Sequence, residues 1–326
     1  MTQPTYDILG IGNAIVDVVS QADDAFLSRH DMHKGAMILI DTPAADALYA
    51  AMPAGNESSG GSAANTCAVA AGLGSRVAYI GKVADDQLGG VFRHDIESVG
   101  VHFPTAPLTG GAPTARCLIL VTPDGQRTMN TFLGACVTLG EDDVDPALVA
   151  ASAVTYLEGY LFDPPAAQAA FRKAAAAAHA AGRRVALSLS DAFCVNRHRT
   201  AFLDLVANHV DILFANETEI TALYECNTFA EAAEAARKDV ALAALTRSEA
   251  GSLILQGNET VHIQAEPAKV VDTTGAGDAY AAGFLSGLTA GKTLSQCGRM
   301  GSIAAAEIIG RFGARPATDL RKLMRD

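Results

Sequence analysis

The sequence predicts an α/β fold around a mostly parallel sheet, and three observations carry that prediction. From residue 154 onward, short apolar runs alternate with helical stretches (154–158, 166–181, 184–188, 199–207, 212–215 and 217–225), the order that successive βαβ units produce. Near the C-terminal end a strand-like run at 268–271, a glycine-rich turn and an apolar helix through Phe284 follow one another. The composition suits such a fold: 49% hydrophobic residues, 18% charged residues and 30 glycines allow a large core joined by many short connections.

Taken in order, 6–12 reads as a buried first strand, and 15–20 alternates apolar and polar residues as a half-exposed strand does. Residues 37–40 form a short strand. Residues 116–122 and 128–132 flank the Pro123-Asp124-Gly125 turn as a hairpin. These short strands need a second surface to bury against, which implies a small sheet beside the main one. Between them, 62–73 is helical, 77–81 a strand and 87–99 a helix. The alanine-rich stretch 166–181 is a helix, because alanine is the best helix former and Phe171, Arg172 and Lys173 break its monotony. No repeat or linker divides the chain, so 1–326 is expected to form one domain with a small appendage.

The formal charge of −12 at pH 7, with no basic run to reverse it locally, argues against nucleic acid and anionic membranes as partners. A small polyanion remains possible, because amides at a helix N-terminus bind phosphate without a basic surface. The six cysteines are dispersed and contain no C-x-x-C pair, so reduced core thiols are expected; the eight histidines show no metal-ligand spacing. Residues 1–7 lack the basic and apolar regions of a signal peptide, and no apolar run is long enough to span a membrane, so a cytoplasmic location is expected.

Chemistry concentrates in 272–280. Its two glycines allow close approach of a ligand, and the amides of Gly275, Ala276 and Gly277 would face an anion with a helix dipole behind them. Asp278 would lie beside them in the first helical turn, placed to accept the proton of an attacking hydroxyl. A plain helix N-terminus with an acidic first turn is the competing reading of these residues alone.

Asp272-Thr273-Thr274-Gly275-Ala276-Gly277-Asp278 resembles the C-terminal signature of the ribokinase-like (PfkB) carbohydrate kinases. Gly60-Gly61-Ser62-Ala63-Ala64-Asn65, with the run from Gly81 to Gly89 downstream, resembles the other signature of that family. The two stand in the family's order, and the resemblance runs from Gly12 to Gly313. It implies a ribokinase-like three-layer α/β/α fold with a mostly parallel central sheet and a small β-sheet lid formed roughly by 14–42 and 103–133.

Within the family the likeness is greatest to adenosine kinases. Gly12-Asn13-Ala14-Ile15-Val16-Asp17 resembles their first-strand motif, which implies that Asn13 and Asp17 hold sugar hydroxyls. Gly61 and Asn65 resemble residues that pack against and hydrogen-bond the sugar. Tyr160 falls where the subfamily places an aromatic against the base, and Met37 falls near the same pocket. Glu158 is a carboxylate better suited to sugar hydroxyls than to a base. Arg127 resembles the lid arginine that moves over the phosphates. Asn216 and Glu219 resemble the Asn-x-x-Glu motif that organises Mg²⁺ through water, and they read equally as a capping box. Thr246, Ser248 and Gly251 fall at the nucleotide loop, with Ser248 in place of the family's middle glycine. Asp272 and Thr274 resemble ligands of a monovalent-cation site, K⁺ in type.

The resemblance therefore implies an ATP- and Mg²⁺-dependent kinase acting on a primary hydroxyl of a small molecule, adenosine first, in purine salvage. A sugar acceptor of the ribose, fructose or 2-keto-3-deoxygluconate kind is the alternative. A non-catalytic nucleotide-binding regulator on the same scaffold is the rival from another class, and the oligomeric expectation is a monomer or a homodimer.

Overall fold

The structure, a computed structural model, describes residues 3–316 and 318–324; Met1, Thr2, Ala317, Arg325 and Asp326, which the expected 1–326 domain includes, lie outside the described residues. In chain order the strands of its first half are β1 (Tyr6–Ile11), β2 (Ile15–Gln21), β3 (Met37–Leu39), β4 (Asn56–Gly60), β5 (Val77–Ile80), β6 (Val101–His102), β7 (Ala115–Val121) and β8 (Arg127–Phe132). Those of the second half are β9 (Ser152–Glu158), β10 (Arg184–Ser188), β11 (Ile212–Asn216), β12 (Leu242–Thr246), β13 (Ser252–Gln256) and β14 (Glu259–Ile263).

The large sheet has the order β14-β13-β12-β11-β10-β9-β1-β5-β6. All its pairings are parallel except those of the β12-β13-β14 edge. Strand β1 lies inside this sheet and is apolar on both faces, as a strand covered on both sides must be. Ile8 enters one core with Tyr79, Tyr156, Phe214 and Phe284, while Leu9 and Ile11 enter the other with Leu157, Phe171 and Phe202. The helices Ser62–Gly72, Ala276–Thr289 and Leu294–Ile309 close the first core. Pro165–Ala180, Ala192–His209, Glu217–Tyr224 and Phe229–Asp239 close the second, so the molecule is a three-layer α/β/α sandwich.

A smaller five-stranded sheet runs in the order β3-β8-β7-β2-β4. Strand β2 alternates as its sequence predicts: Val16 and Val18 enter the first core, and Asp17 points to the opposite, more open face. Four of the five strands fall within 14–42 and 103–133. The fifth, β4, lies outside those ranges, and its polar Asn-Glu-Ser-Ser-Gly sequence conceals an antiparallel partner of β2.

One other expectation is corrected. Residues 268–271 form no strand: Val270 and Val271 are exposed, and the Val271 N–H bonds to the Ile309 carbonyl rather than into a sheet. The helix expected at 199–207 is present: His198 leaves helical geometry (φ −124°, ψ 24°) and kinks the stretch Ala192–His209, so the expected helix follows the kink and a further helical segment, capped by Asp191 accepting from the Cys194 N–H, precedes it.

Because β9, β1, β11 and β12 run parallel, Glu158, the Gly12–Ala14 turn, Asn216 and Thr246 all stand at one edge of the sheet. Ligands of open parallel sheets bind at that edge.

Candidate active site

Gly275 caps the helix Ala276–Thr289 with φ 77°, and a side chain there would collide with Ala314. The turn therefore needs glycine twice over, for conformation and for space. The Ala276 N–H is taken by the Thr273 carbonyl at 3.2 Å, while the first-turn amides of Gly277 and Asp278 have no intrahelical acceptor and the space a side chain on Gly277 would fill is open.

Asp278 is held from the opposite side. Ser62 Oγ donates to its Oδ1 at 2.6 Å and Asn65 Nδ2 donates to its Oδ2 at 3.3 Å, so the two glycine-rich segments meet at one carboxylate. Burial pushes the Asp278 carboxyl up to about 6, against the pull of the Ser62 and Asn65 hydrogen bonds and the Arg315 charge. A carboxylate in that range suits proton acceptance near neutral pH. The Asn65 Oδ1 is buried with no hydrogen-bond partner.

Asp17 shares this environment. Burial raises it to about 6, Arg127 and Arg315 pull it down, and Asp278 pushes it up. A side chain on Gly60 would collide with the Asp17 carboxylate, and one on Gly61, whose φ is 94°, would collide with the Asn13 carbonyl. The two glycines thus let the entry to helix Ser62–Gly72 pass directly under β2.

Asn13 and Glu158 are placed differently from expectation. Glu158 is only 1% exposed, accepts from Asn13 Nδ2 at 2.7 Å and from the Ala63 N–H at 2.7 Å, and lies so close to Gly12 that a side chain there would strike it. It braces the site from beneath rather than facing a ligand. Asn13, 3% exposed, spends its amide on that brace. Burial pushes Glu158 up to about 7, with the Ala63 N–H and the Asn13 side chain opposing.

Met37 is 53% exposed on β3, the edge strand of the smaller sheet. Tyr160 is 45% exposed, and its hydroxyl is within electrostatic reach of Asp278, Glu219 and Glu158.

Asn216 and Glu219 form the capping box of helix Glu217–Tyr224: Glu219 accepts from the Asn216 N–H at 2.9 Å and from its side chain at 2.6 Å, and Asn216 Oδ1 accepts from the Glu219 N–H. Burial raises Glu219 to about 7 against the Asn216 N–H, helped by Asp191 and Asp278. With its oxygens committed, the box fits a Mg²⁺ ion only through metal-bound water. Ser248 takes φ 49°, the left-handed conformation its replaced glycine would adopt, and Gly251 has φ 80° with no room for a side chain against Ile263.

Arg127, expected over the phosphates, is ion-paired with Asp272, and both side chains are buried. Asp272 also accepts from the Thr274 N–H at 3.0 Å and the Gly313 N–H at 3.1 Å. Burial alone would raise Asp272, but the Thr274 and Gly313 hydrogen bonds and the Arg127 charge outweigh it and hold the carboxyl below its usual range. A carboxylate so engaged, already neutralised by a guanidinium, does not fit the cation-ligand role expected of Asp272 and Thr274.

The sequence reading missed two contributors. Ser62 lay inside a recognised segment, and only its bond to Asp278 reveals its place. Arg315, just beyond the last residue of the resemblance, donates to Ser59 and faces the same carboxylates.

Residues 39–320 match the profile described as pfkB family carbohydrate kinase. The solved structure of the adenosine kinase from Sinorhizobium meliloti is similar with a TM-score of 0.90 and 54% identity over 98% of each chain. That of a probable sugar kinase from Rhizobium etli CFN 42 is similar with a TM-score of 0.91 and 49% identity, also over 98% of each. Among curated relatives, the adenosine kinase of Saccharomyces cerevisiae is 28% identical over 337 residues, covering 96% of each chain.

Proposed function

Because the chain belongs to the pfkB family of carbohydrate kinases, which phosphorylate hydroxyl acceptors, we propose that it transfers the γ-phosphoryl group of ATP to the 5′-hydroxyl of adenosine, giving AMP and ADP. The observation that carries kinase chemistry at this site is Asp278, gripped by Ser62 and Asn65 in the first turn of a helix that a glycine caps.

In this reading the acceptor oxygen lies between Asp278 and the Gly275–Gly277 amides. Asp278 takes the hydroxyl proton as that oxygen bonds to the γ-phosphorus; the bond to the β-phosphate oxygen breaks, and its electron pair leaves with ADP. The amides stabilise the phosphoryl oxygens, and Arg127 joins them after leaving Asp272. Asp17 and the unpartnered Asn65 Oδ1 accept sugar hydroxyls, with Gly61 giving the sugar room to approach, while Tyr160 offers its exposed ring to the base. Thr246, Ser248, Gly251 and Asn216 border the nucleotide. Bound Mg²⁺ would supply neutralisation of phosphate charge. The smaller sheet acts as a lid that excludes water when it closes.

The adenosine assignment rests on likeness to the Sinorhizobium meliloti enzyme along nearly the whole chain. A sugar acceptor is the second reading, favoured by Met37, which lies in the open where a base pocket would need a wall. The test is kcat/KM for adenosine beside inosine, guanosine, ribose, fructose and 2-keto-3-deoxygluconate, with ADP release measured. Adenosine should lead; a higher value for a free sugar overturns the acceptor, and binding without ADP release overturns catalysis.

A further inference from the structure

Arg315 enters beneath the site from the segment that follows helix Leu294–Ile309. Its Nη2 donates to the Ser59 carbonyl at 2.7 Å and to Ser59 Oγ at 2.8 Å, and Nη1 reaches the Ala64 carbonyl at 3.5 Å. Ser59 in turn donates from its N–H and its Oγ to Asp95 Oδ2, at 2.8 and 2.5 Å. One guanidinium therefore ties the end of β4 to the first turn of helix Ser62–Gly72 and, through Ser59, to helix Gln87–Ser98. Gly60, Gly61 and Ser62 lie between those two anchor points. Ser62 holds Asp278, and Gly60 underlies Asp17.

The hydrogen bonds of Arg315 go to main-chain carbonyls and a hydroxyl, and its Nε is buried with no partner. Among the described residues no carboxylate pairs with it directly, so its charge acts on the neighbouring acids through space. Asp278 is faced by Arg315, Asp17, Tyr156, Glu158, Tyr160 and Glu219, and Asp17 by Arg127 as well. Arg315 is faced further by Asp95, Cys67 and Tyr79. Burial raises the tyrosines and the thiol, so they are neutral where an enzyme works, and Arg315 is the cation common to Asp17 and Asp278.

We propose that Arg315 is a positioning residue for phosphoryl transfer: it fixes the Ser59–Ala64 main chain that delivers Ser62 and Asn65 to Asp278, and it offsets the negative charge that Asp17 and Asp278 hold together. The inference rests on the reading of Asp278 as the base. Two opposed carboxylates repel each other and repel an incoming polyanion, and a cation held behind them relieves both effects.

The experiment compares kcat/KM for adenosine across pH in wild type, Arg315→Gln and Arg315→Lys, with Asp278→Asn as reference and thermal stability recorded for each. Arg315→Gln should move the acid limb of the profile upward by about half a pH unit or more and lower kcat near neutrality about tenfold, with the loss shrinking at higher pH. Arg315→Lys keeps the charge but cannot reach Ser59 and Ala64 together, so its limb should stay in place while kcat falls. A purely structural arginine would lower stability and leave the limb unmoved in Arg315→Gln, and that result overturns the inference. Should Arg315→Gln fail to fold, the lysine variant decides: an unmoved limb with reduced kcat supports the inference, while a moved limb or unchanged kcat overturns it. Wild-type turnover in folded Asp278→Asn removes the base assignment and this inference with it. An inactive Asp278→Asn beside an unaffected Arg315→Gln removes this inference alone.

Discussion

The guanidinium of Arg127, on β8 of the smaller sheet, is ion-paired with Asp272, at the mouth of the glycine-rich turn that leads to Asp278. This pair ties the smaller sheet to the glycine-rich turn, and Arg127 cannot reach a phosphate without leaving it. Arg127→Ala should therefore lower kcat and also destabilise the protein, by up to about 3–5 kcal/mol, because Asp272 is left as an unpaired buried charge. Adding Asp272→Asn should restore part of that stability without restoring kcat. Urea denaturation and turnover of the single and double variants check this, and additive stability losses would argue against the coupling.

Asp278→Asn preserves shape and removes the proton acceptor. A fall in kcat of at least about 10²-fold is expected with the fold intact by circular dichroism. Near-wild-type turnover in the folded variant would falsify the role.

Asp17→Ala should weaken acceptor binding far more than ATP binding, because it removes a hydroxyl acceptor from the open face of β2 and leaves the helix amides untouched. Calorimetry with each ligand separates the cases. Equal weakening of both would count against the assignment.

Activity and stability should respond to pH in opposite directions. Burial raises both Asp278 and Asp17 to about 6 from an ordinary 3.8, and the two titrate as a coupled set. A base works deprotonated, so kcat/KM should rise with pH through about 6 and be lost below it. Because the folded values lie above the unfolded one, the stability these groups contribute is fully present below 3.8 and is lost as pH rises through about 6. Urea midpoints at about pH 5 and about pH 7.5 should differ less in Asp278→Asn than in wild type. An equal difference would speak against this assignment.

Glu158→Gln places an NH₂ group against either the Asn13 amide or the Ala63 N–H, both donors. It should cost about 1–3 kcal/mol despite removing a buried charge. A neutral effect in urea denaturation would mean that the Asn13 amide is turned, so that its oxygen accepts from residue 158.

Much of this was legible in the sequence because parallel strands buried on both faces read as apolar runs and glycine-rich turns read as themselves. Where chemistry and local conformation coincide, as at Gly275 and Asp278, the placement in a first helical turn follows from residue type. Sequence reasoning erred where the partner of a side chain is distant along the chain. Glu158 resembles a ligand-facing acid until the Asn13 amide and the Ala63 N–H claim its oxygens. Polar β4 carries no apolar run to mark it as a strand, and only its pairing with β2 makes it one. Val270 and Val271 have strand-forming side chains, but the Val271 N–H is claimed by the distant Ile309 carbonyl. Arg315 lacks any local signature, and its importance arises only where Ser59 and Ala64 are brought to it.

Strand β1 lies between β5 and β9, and its pairing with β9 joins Leu9 to Thr155 across the whole intervening chain. The centre of the large sheet therefore cannot close during synthesis until residues as far as Glu158 have left the ribosome. Until then β1 presents one open edge of unpaired N–H and C=O groups on a largely apolar strand, the kind of surface that recruits other chains. A fragment ending before Ser152 should accordingly aggregate rather than fold, whereas the long stretch from β2 to β8 must be held in a provisional arrangement that β9 makes permanent.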